Sequence, residues 1–544
     1  MMTRGRNIVS ALGVALRNGE IRRVQLAWGG AIAAEWAHFV ALGVYAYEHG
    51  GTQAVGVAGL VRLLPAALIA PFAASLGDHF RRERFLLGMT LVGSGALVAS
   101  AAASFAGDRT LVFAFAAVIG VSSTLFRPAL QALLPSLART PEELIASNGT
   151  TSMVESLGTL VGPVAAGVLV SVASVGVAFA AAAGVLLVSS ALLRRVRTTG
   201  HVELTAAAAG ETMGTAIAAG LALVARAPRP RLLVGLGVAQ AFVRGCLNVL
   251  IVVAAFHVLG GGAAEVGYLT AAIGVGGLIG AVGATTLGER RLGATFGLAL
   301  VFWGLPIMLI APRPAFAAAI VLLAVVGAAN SVEDVAIITL LQRTVPNEFL
   351  SRVLGALWGL AMGGVALGSI AAPAIVDAVG ARPAFVVVGS ILPILALATY
   401  HRLAEIDKTH APGRTLDLID GVPMFAPLSI ALKERLAATL TPVSVAAGDV
   451  VIRAGDIGDR FYVVDDGELD VDSASRHTVA CSGDYFGEVA LLRDIPRSAT
   501  VKAAVDSHLY ALRRDVFLAA VTGHPAAYAA GREVAEARLA QVGP

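Results

Sequence analysis

The chain has 544 residues, of which 57% are hydrophobic, 14% charged and 6% aromatic, and its mean hydropathy is +0.78. Soluble domains are about a quarter charged, so this composition excludes a protein that is water-soluble throughout, as well as disorder, collagen, coiled coil and a disulfide scaffold. A formal charge of +3, with no basic run interleaved with aromatics, gives no reason to expect nucleic acid as a partner.

The 61 glycines and the Ala-rich runs fit close helix packing in lipid better than a β-barrel, so the expected partner is the bilayer. Residues 1–20 show no apolar core followed by a cleavage site, and no signal peptide is expected. Cys246 and Cys481 lie in regions of unlike character, outside any CxxC or Cys/His cluster, so neither a disulfide nor a metal site is read.

Spanning helices need roughly 20 apolar residues. Runs of that length begin near Gln25, Val55, Phe85, Leu111, Ser147, Val172, Leu232, Val266, Ala294, Ala315, Arg352 and Pro383, which predicts twelve spans. Breakers such as Glu48-His49-Gly50, Gly107-Asp108-Arg109, Gly260-Gly261-Gly262 and Pro312-Arg313-Pro314 separate them. Beyond about Tyr400 the character changes: Lys408, Lys433 and Lys502, the acidic pair Asp465-Asp466 and Asp470/Asp472 all lie there. The predicted division is a cytoplasmic N-terminus (1–22), a membrane domain (23–402), a linker (403–420) and a second domain (421–544). Within the membrane domain the halves are about 23–196 and 229–402, joined by a central cytoplasmic loop, 197–228.

Alternate loops differ in arginine content. One set holds Arg22-Arg23, Arg81-Arg82, Arg84, Arg139, Arg194-Arg195, Arg226, Arg229, Arg290-Arg291, Arg343 and Arg402, whereas the other holds only Arg109, Arg313 and Arg382. The positive-inside rule then puts both termini in the cytoplasm, as an even number of spans requires, with the plasma (inner) membrane as the expected location. The halves also repeat. A shift of 206 residues pairs Glu142 with Glu348, Gly158 with Gly364, Gly162 with Gly368, and Ala178-Phe179 with Ala384-Phe385. A parallel repeat of two six-helix halves resembles the layout of major facilitator transporters, which implies a substrate site near the midplane between the halves.

The segment Ser75-Leu76-Gly77-Asp78-His79-Phe80-Arg81-Arg82-Glu83-Arg84, after Leu64-Pro65 and Pro71, resembles the signature loop between helices 2 and 3 of the major facilitator superfamily. The stretch Leu134-Pro135, Pro141-Glu142-Glu143-Leu144 and Gly162-Pro163, echoed by Val345-Pro346-Asn347-Glu348, is similar to its proton-driven drug-exporter branch. The resemblance covers about residues 20–402. The second-half counterpart of the signature loop, residues 287–292, is degenerate.

Ionisable groups at membrane depth are costly, and each is a functional candidate. Counting 1.5 Å per residue from the cytoplasmic end of the first span puts Glu35 roughly 15–17 Å deep, near the midplane. His38 follows at i+3 on much the same face. Arg62 in the second span and Arg244 in the seventh are also deep, and Glu155 in the fifth is shallower. A desolvated Glu35 would take up a proton and release it when water or an arginine arrives, which would couple proton entry to substrate exit. A fixed Glu35–arginine pair that never titrates is the competing reading. Glu333 and Asp334 are expected nearer the cytoplasmic end of the tenth span, paired with Arg290 or Arg291 to close a gate. Asp78 with Arg81 and Arg82 would do the same in the first half. Gly-rich residues 274–283 read as helix packing and not as a phosphate loop.

Residues 414–544 change rhythm. Residues 429–439 read as an amphipathic helix and 443–451 as a strand. Phe461-Tyr462-Val463-Val464 and Leu469-Asp470-Val471 alternate as strands around Gly467, 501–512 adds another, and 515 onward is helical. Short strands closing on helices predict an α+β unit with a β-roll over about 440–514. The run Phe486-Gly487-Glu488-Val489-Ala490-Leu491-Leu492, followed after three residues by Pro496-Arg497-Ser498-Ala499-Thr500-Val501, resembles the phosphate-binding cassette of cyclic-nucleotide-binding domains over about 100 residues. Gly487 permits close approach, the short helix entered through Val489 and Ala490 offers N–H groups, and Arg497 supplies a charge-assisted bond to a cyclic phosphate. The resemblance implies that Glu488 takes the ribose 2′-hydroxyl and Ser498 the phosphate or base. It implies cyclic AMP, or else cyclic GMP, as regulatory ligand. The competing reading is a ligand-free relic in which Arg497 pairs with Glu488.

The expected fold is therefore an all-α polytopic membrane domain of twelve helices in two six-helix repeats, plus a C-terminal α+β cyclic-nucleotide-binding β-roll. The expected function is proton-coupled export of a drug-like or other small organic molecule, regulated by cyclic nucleotide. The first alternative is a non-transporting membrane-anchored receptor or scaffold. An enzyme is not expected, because no nucleophile–base set, metal cluster or phosphate loop is legible. A nucleotide-gated channel fits poorly, for want of a selectivity-filter loop and an arginine ladder.

Overall fold

The computed structural model describes the chain except residues 1–17, 70–81, 138–140, 197–212, 285–291, 313–314, 346, 409–412, 429, 474–476 and 543–544. It forms two compact units, Met1–Ala404 and Glu405–Pro544.

The first unit is helical. Its elements are α1 (Gly19–Ile69), α2 (Arg82–Ala106), α3 (Arg109–Leu137), α4 (Pro141–Val172), α5 (Val175–Leu193), α6 (Met213–Arg226), α7 (Pro228–Val253), α8 (Ala263–Ala284), α9 (Leu292–Ile310), α10 (Phe316–Thr344), α11 (Asn347–Val379) and α12 (Ala381–Lys408), which continues into the second unit. Among the described residues eleven helices are long and apolar enough to span a membrane. The 51-residue α1 is itself two rods, broken where Gly51 adopts φ +63, a conformation open to glycine. The twelve expected spans are thus all present as helix. Two features were not expected: α6, an extra helix inside the central loop, and a π turn, Ala254–Val258, at the end of α7.

Glycine contacts show the repeat in three dimensions. A Cβ on Gly162 would lie 2.4 Å from the Ala33 carbonyl and 3.0 Å from Trp36, and one on Gly368 would lie 2.0 Å from the carbonyl of Phe242. Phe242 is Trp36 shifted by 206, so α4 on α1 and α11 on α7 are one packing used twice. At the break between the two rods of α1, beside the end of α7, the halves meet directly. The Tyr47 ring stacks on Phe256 at 4.7 Å, and Gln53 Nε2 donates to Asp377 Oδ2 at 3.2 Å.

The second unit holds α13 (Gly413–Asp420) and α14 (Ile430–Thr439), then β1 (Thr441–Val445), β2 (Val450–Ile452), β3 (Arg460–Asp466), β4 (Glu468–Ser473), β5 (His477–Cys481) and β6 (Tyr485–Phe486). After them come α15 (Glu488–Arg493), β7 (Ala499–Ala503), β8 (Ser507–Arg513), α16 (Arg514–Thr522) and α17 (Pro525–Val542). Two antiparallel four-stranded sheets, β1-β8-β3-β6 and β2-β7-β4-β5, form the roll. Its interior holds Tyr462 stacked on Phe486 at 5.2 Å, with Leu469 and Leu509. A second core, where Phe461 stacks on Phe517 at 4.9 Å beside Phe425, fastens the helices to the roll.

Two expected strands are each split. Residues 443–451 divide between β1 and β2 at Gly448 (φ +92), and 501–512 divide between β7 and β8 around Asp506, which accepts a bond from Ala447 N. Strand β5 was not foreseen. The expected linker is largely helix, formed by the end of α12 and by α13.

Candidate functional site

In the second unit the chain leaves β6, turns at Gly487 and enters α15. Gly487 has φ +92, and a Cβ there would lie 2.6 Å from Arg497 Nη1. The turn therefore needs glycine for its backbone and for the space above it. A left-handed Asp494 ends α15, and Arg497 follows just before β7.

Arg497 is built into the frame. Its Nη1 donates to the Gly487 carbonyl at 2.8 Å, its Nη2 donates to the Arg460 carbonyl at 2.7 Å, and Asp459 Oδ1 stands 3.5 Å away. Burial lowers the guanidinium from its ordinary range, against Tyr462, Asp459 and Glu488. Glu488 is fully buried. Its two oxygens accept from Arg538 Nη1 of α17 at 2.8 and 3.0 Å, while Arg538 Nη2 donates to the Tyr485 carbonyl and the guanidinium lies 4.7 Å from the Tyr485 ring centre. Burial raises the Glu488 carboxyl above the ordinary carboxylate value, and Arg538 pulls it back.

These residues line one cavity of about 300 Å³. Gly487, Glu488, Val489, Ala490, Arg497 and Ser498, all named from the sequence, are brought together there, with Val471 and Val479 as apolar wall. Its chemistry is a buried cation and a first-turn helix amide edge on one side, a buried carboxylate on another, and an apolar floor. That set suits a small anion with a sugar-like hydroxyl. The pairing of Arg497 with Glu488 considered from the sequence is not the one formed, because Glu488 takes Arg538. Arg538 is the residue that sequence reasoning missed. It stands 50 positions from Glu488, and no local pattern marks it.

In the membrane unit Glu35 and Arg62 meet: Arg62 Nη2 donates to Glu35 Oε1 at 2.8 Å. His38 is buried against Phe179, with no hydrogen-bond partner for either ring nitrogen among the described residues. Arg244 donates to Asn330 Oδ1, which also accepts from Gln240 Nε2 at 3.1 Å and Trp303 Nε1 at 3.2 Å, and Asn330 Nδ2 donates to Asp334 Oδ2 at 2.9 Å. Asp334, expected at a cytoplasmic gate, joins this cluster through Asn330, one helical turn away on α10, and its expected pairing with Arg290 or Arg291 lies outside the described residues. Glu333 beside it is buried, and Glu155 is half-buried on α4. Asp78, Arg81, Arg290 and Arg291 lie outside the described residues, as does the Arg82 side chain. Asn330, Gln240 and Trp303 were missed because only charged residues were weighed within the spans, although Asn330 interrupts an otherwise apolar run.

A polytopic helical unit of two repeated halves, followed by a β-roll with a phosphate-type cassette, defines a membrane carrier fold joined to a nucleotide-sensor fold. The sequence matches the Major Facilitator Superfamily over residues 27–357 and again over 233–452, and the cyclic nucleotide-binding domain over 442–524. The chain belongs to the Major Facilitator Superfamily and is a multi-pass membrane protein with a C-terminal cyclic nucleotide-binding domain. A crystal structure of the nucleoside transporter NupG is similar to 70% of this chain and 99% of its own, with a TM-score of 0.60 at 11% identity, which is a likeness of fold alone. The C-terminal part is 39% identical over 116 residues to a cAMP-dependent protein kinase regulatory subunit of Yarrowia lipolytica, covering 21% of this chain and 31% of that protein. It is 34% identical over 119 residues to a cyclic nucleotide-gated potassium channel of Rhizobium etli, covering 22% of this chain and 32% of that one. The chain thus spans about a third of the length of these curated relatives.

Proposed function

We propose that the chain is a secondary active transporter of the plasma membrane that exports a drug-like or other small organic molecule by proton coupling, under the control of cyclic AMP. The observation that carries the regulatory half is the 300 Å³ cavity in which Arg497 and Glu488 stand together. Arg497 is held by two carbonyls and keeps its charge for a cyclic phosphate; Glu488 faces the ribose. Kinase regulatory subunits named for cAMP support cyclic AMP over cyclic GMP. Because Glu488 also holds Arg538, a ligand that draws on Glu488 changes the footing of α17, and this is the step that would carry the signal. The transport half rests on the two-half fold and on charged clusters inside it. The positive-inside rule places both termini, and with them the sensor, in the cytoplasm. We read no enzymatic activity.

The test is dye accumulation in inside-out vesicles holding the full chain, energised by a pH gradient, with the cationic dye ethidium and the anionic dye 8-anilinonaphthalene-1-sulfonate as probes. Cyclic AMP added to the exposed cytoplasmic face should change the rate several-fold in the wild type and leave Arg497→Ala unmoved. The same rate with and without nucleotide contradicts the regulatory reading. The Glu35–Arg62 ion pair favours a second reading, a receptor that no longer transports, and accumulation that is absent under every condition supports it.

A further inference from the structure

Between the two halves lies a cavity whose walls include Phe39 and Arg62 of α1, Asn248 of α7, Thr270 of α8 and Ser369 of α11. Its volume of about 30 Å³ has room for about two water molecules, so in this conformation it is shut on any organic molecule. Valine, leucine and isoleucine make up most of the remaining wall. The polar groups are few and unequal. Thr270 Oγ1 donates to the Val266 carbonyl at 2.8 Å and Ser369 Oγ to that of Val365 at 3.0 Å, so both hydroxyl protons are spent on their own helices. Arg62 is 8% exposed; its Nη2 is taken by Glu35, but its Nε is buried with no acceptor among the described residues. Asn248 carries no hydrogen bond to any described residue. The wall therefore holds a guanidinium with one N–H unspent among the described residues, closed off in this conformation, and an unspent carboxamide, on an apolar background.

A buried donor without an acceptor is expensive, and a ligand oxygen that reaches it removes that cost. We propose that this cavity, once the halves part, holds an apolar molecule bearing one carboxylate or similar oxyanion, gripped by Arg62 with Asn248 beside it, and that Glu35 is the internal competitor of that anion. The proposal rests on the transporter reading and adds the substrate class to it. The planar guanidinium fork fits an oxyanion in a way that no neutral acceptor matches. A cationic substrate would have to sit against Arg62. With Glu35 ionised, a bound anion leaves one negative charge unbalanced within the membrane. With a proton on Glu35 the balance is restored, so Glu35 and the anion compete for Arg62 and the protonated site is the one that holds the anion.

Three probes with one ring system decide it: 2-naphthoate, 2-naphthamide and 2-naphthylmethylammonium, titrated by tryptophan fluorescence into the detergent-purified full chain. The wild type should bind the naphthoate at least about tenfold more tightly than the amide. Glu35→Gln should tighten naphthoate several-fold, and Arg62→Gln should erase the preference while amide binding stays the same. Asn248→Asp, which leaves the arginine in place, should weaken naphthoate alone. The proposal is overturned if the ammonium binds best, if none of the three binds, if Arg62→Gln keeps the preference, or if Glu35→Gln weakens naphthoate. Naphthoate binding as expected but without counterflow in proteoliposomes removes the transport reading and leaves the site standing.

Discussion

Glu488 is a carboxylate with no exposure, held by an arginine that is itself partly open to water, its side chain 38% exposed. Burial raises its carboxyl above the ordinary value of 4.5, so the folded unit holds that proton more firmly than the unfolded chain does. The contribution to stability is full below the unfolded value and declines as pH rises from about 4.5 through the raised folded value. Thermal melts of the 405–544 unit between about pH 4 and about pH 8 should show that decline. Glu488→Gln should flatten it, and Arg538→Ala should steepen it by removing the cation bonded to the carboxylate. At neutral pH Arg538→Ala should cost about 1–3 kcal/mol, less than a fully buried pair because the arginine end is partly hydrated. A pH profile identical in the wild type and in Glu488→Gln would show that this group does not set the slope. The cassette residues were legible because they are contiguous and each has its own chemical task. Arg538 was not, since only the docking of α17 brings it to Glu488.

Helix packing in the membrane unit depends on glycines that touch backbone. A Cβ on Gly276 would fall 1.7 Å from the Ala324 carbonyl, one on Gly327 would fall 1.9 Å from that of Ile273, and one on Gly280 would fall 2.4 Å from that of Ala328. Together they form a single α8–α10 seam in which no side chain fits. Gly276→Leu or Gly327→Val should lower the thermal midpoint of the detergent-purified chain markedly, whereas Gly88→Ala, which meets nothing within 4 Å, should leave it almost unchanged. Equal effects would show that the seam does not hold these helices. The sequence reads this seam as helix packing because residues 274–283 lack every companion that a phosphate loop requires. Span existence was legible from run length alone, but element ends were not. Gly448 and the turn before Ser507 divide strands that hydropathy runs straight through, because a turn of two or three residues hardly alters a windowed average. The extra helix α6 falls in a loop defined only by what flanks it.

At the scale of the whole chain, a carrier fold with internal repeats and a sensor fold with its own core share one polypeptide, and each is recognisable by a different physical signature. The 206-residue repeat proved to be packing as well as sequence, since Trp36 and Phe242 meet the equivalent glycines Gly162 and Gly368. The intramembrane charges were legible as candidates, and a Glu35–arginine pair was one reading of them, but the particular arginine was not legible. Glu35 and Arg62 come from the two limbs of α1, and Asp334 is joined to Arg244 through the neutral Asn330. The claim on which the account turns is that the cavity beside Arg497 binds a cyclic nucleotide. Calorimetric titration of the detergent-purified full chain with cyclic AMP, alongside Arg497→Ala, tests it most directly. The account predicts saturable binding of one nucleotide per chain. It also predicts a loss of about 10- to 150-fold in the variant, the worth of one charge-assisted hydrogen bond of about 1.5–3 kcal/mol. No binding of cyclic AMP or cyclic GMP, or the same affinity without Arg497, would contradict it.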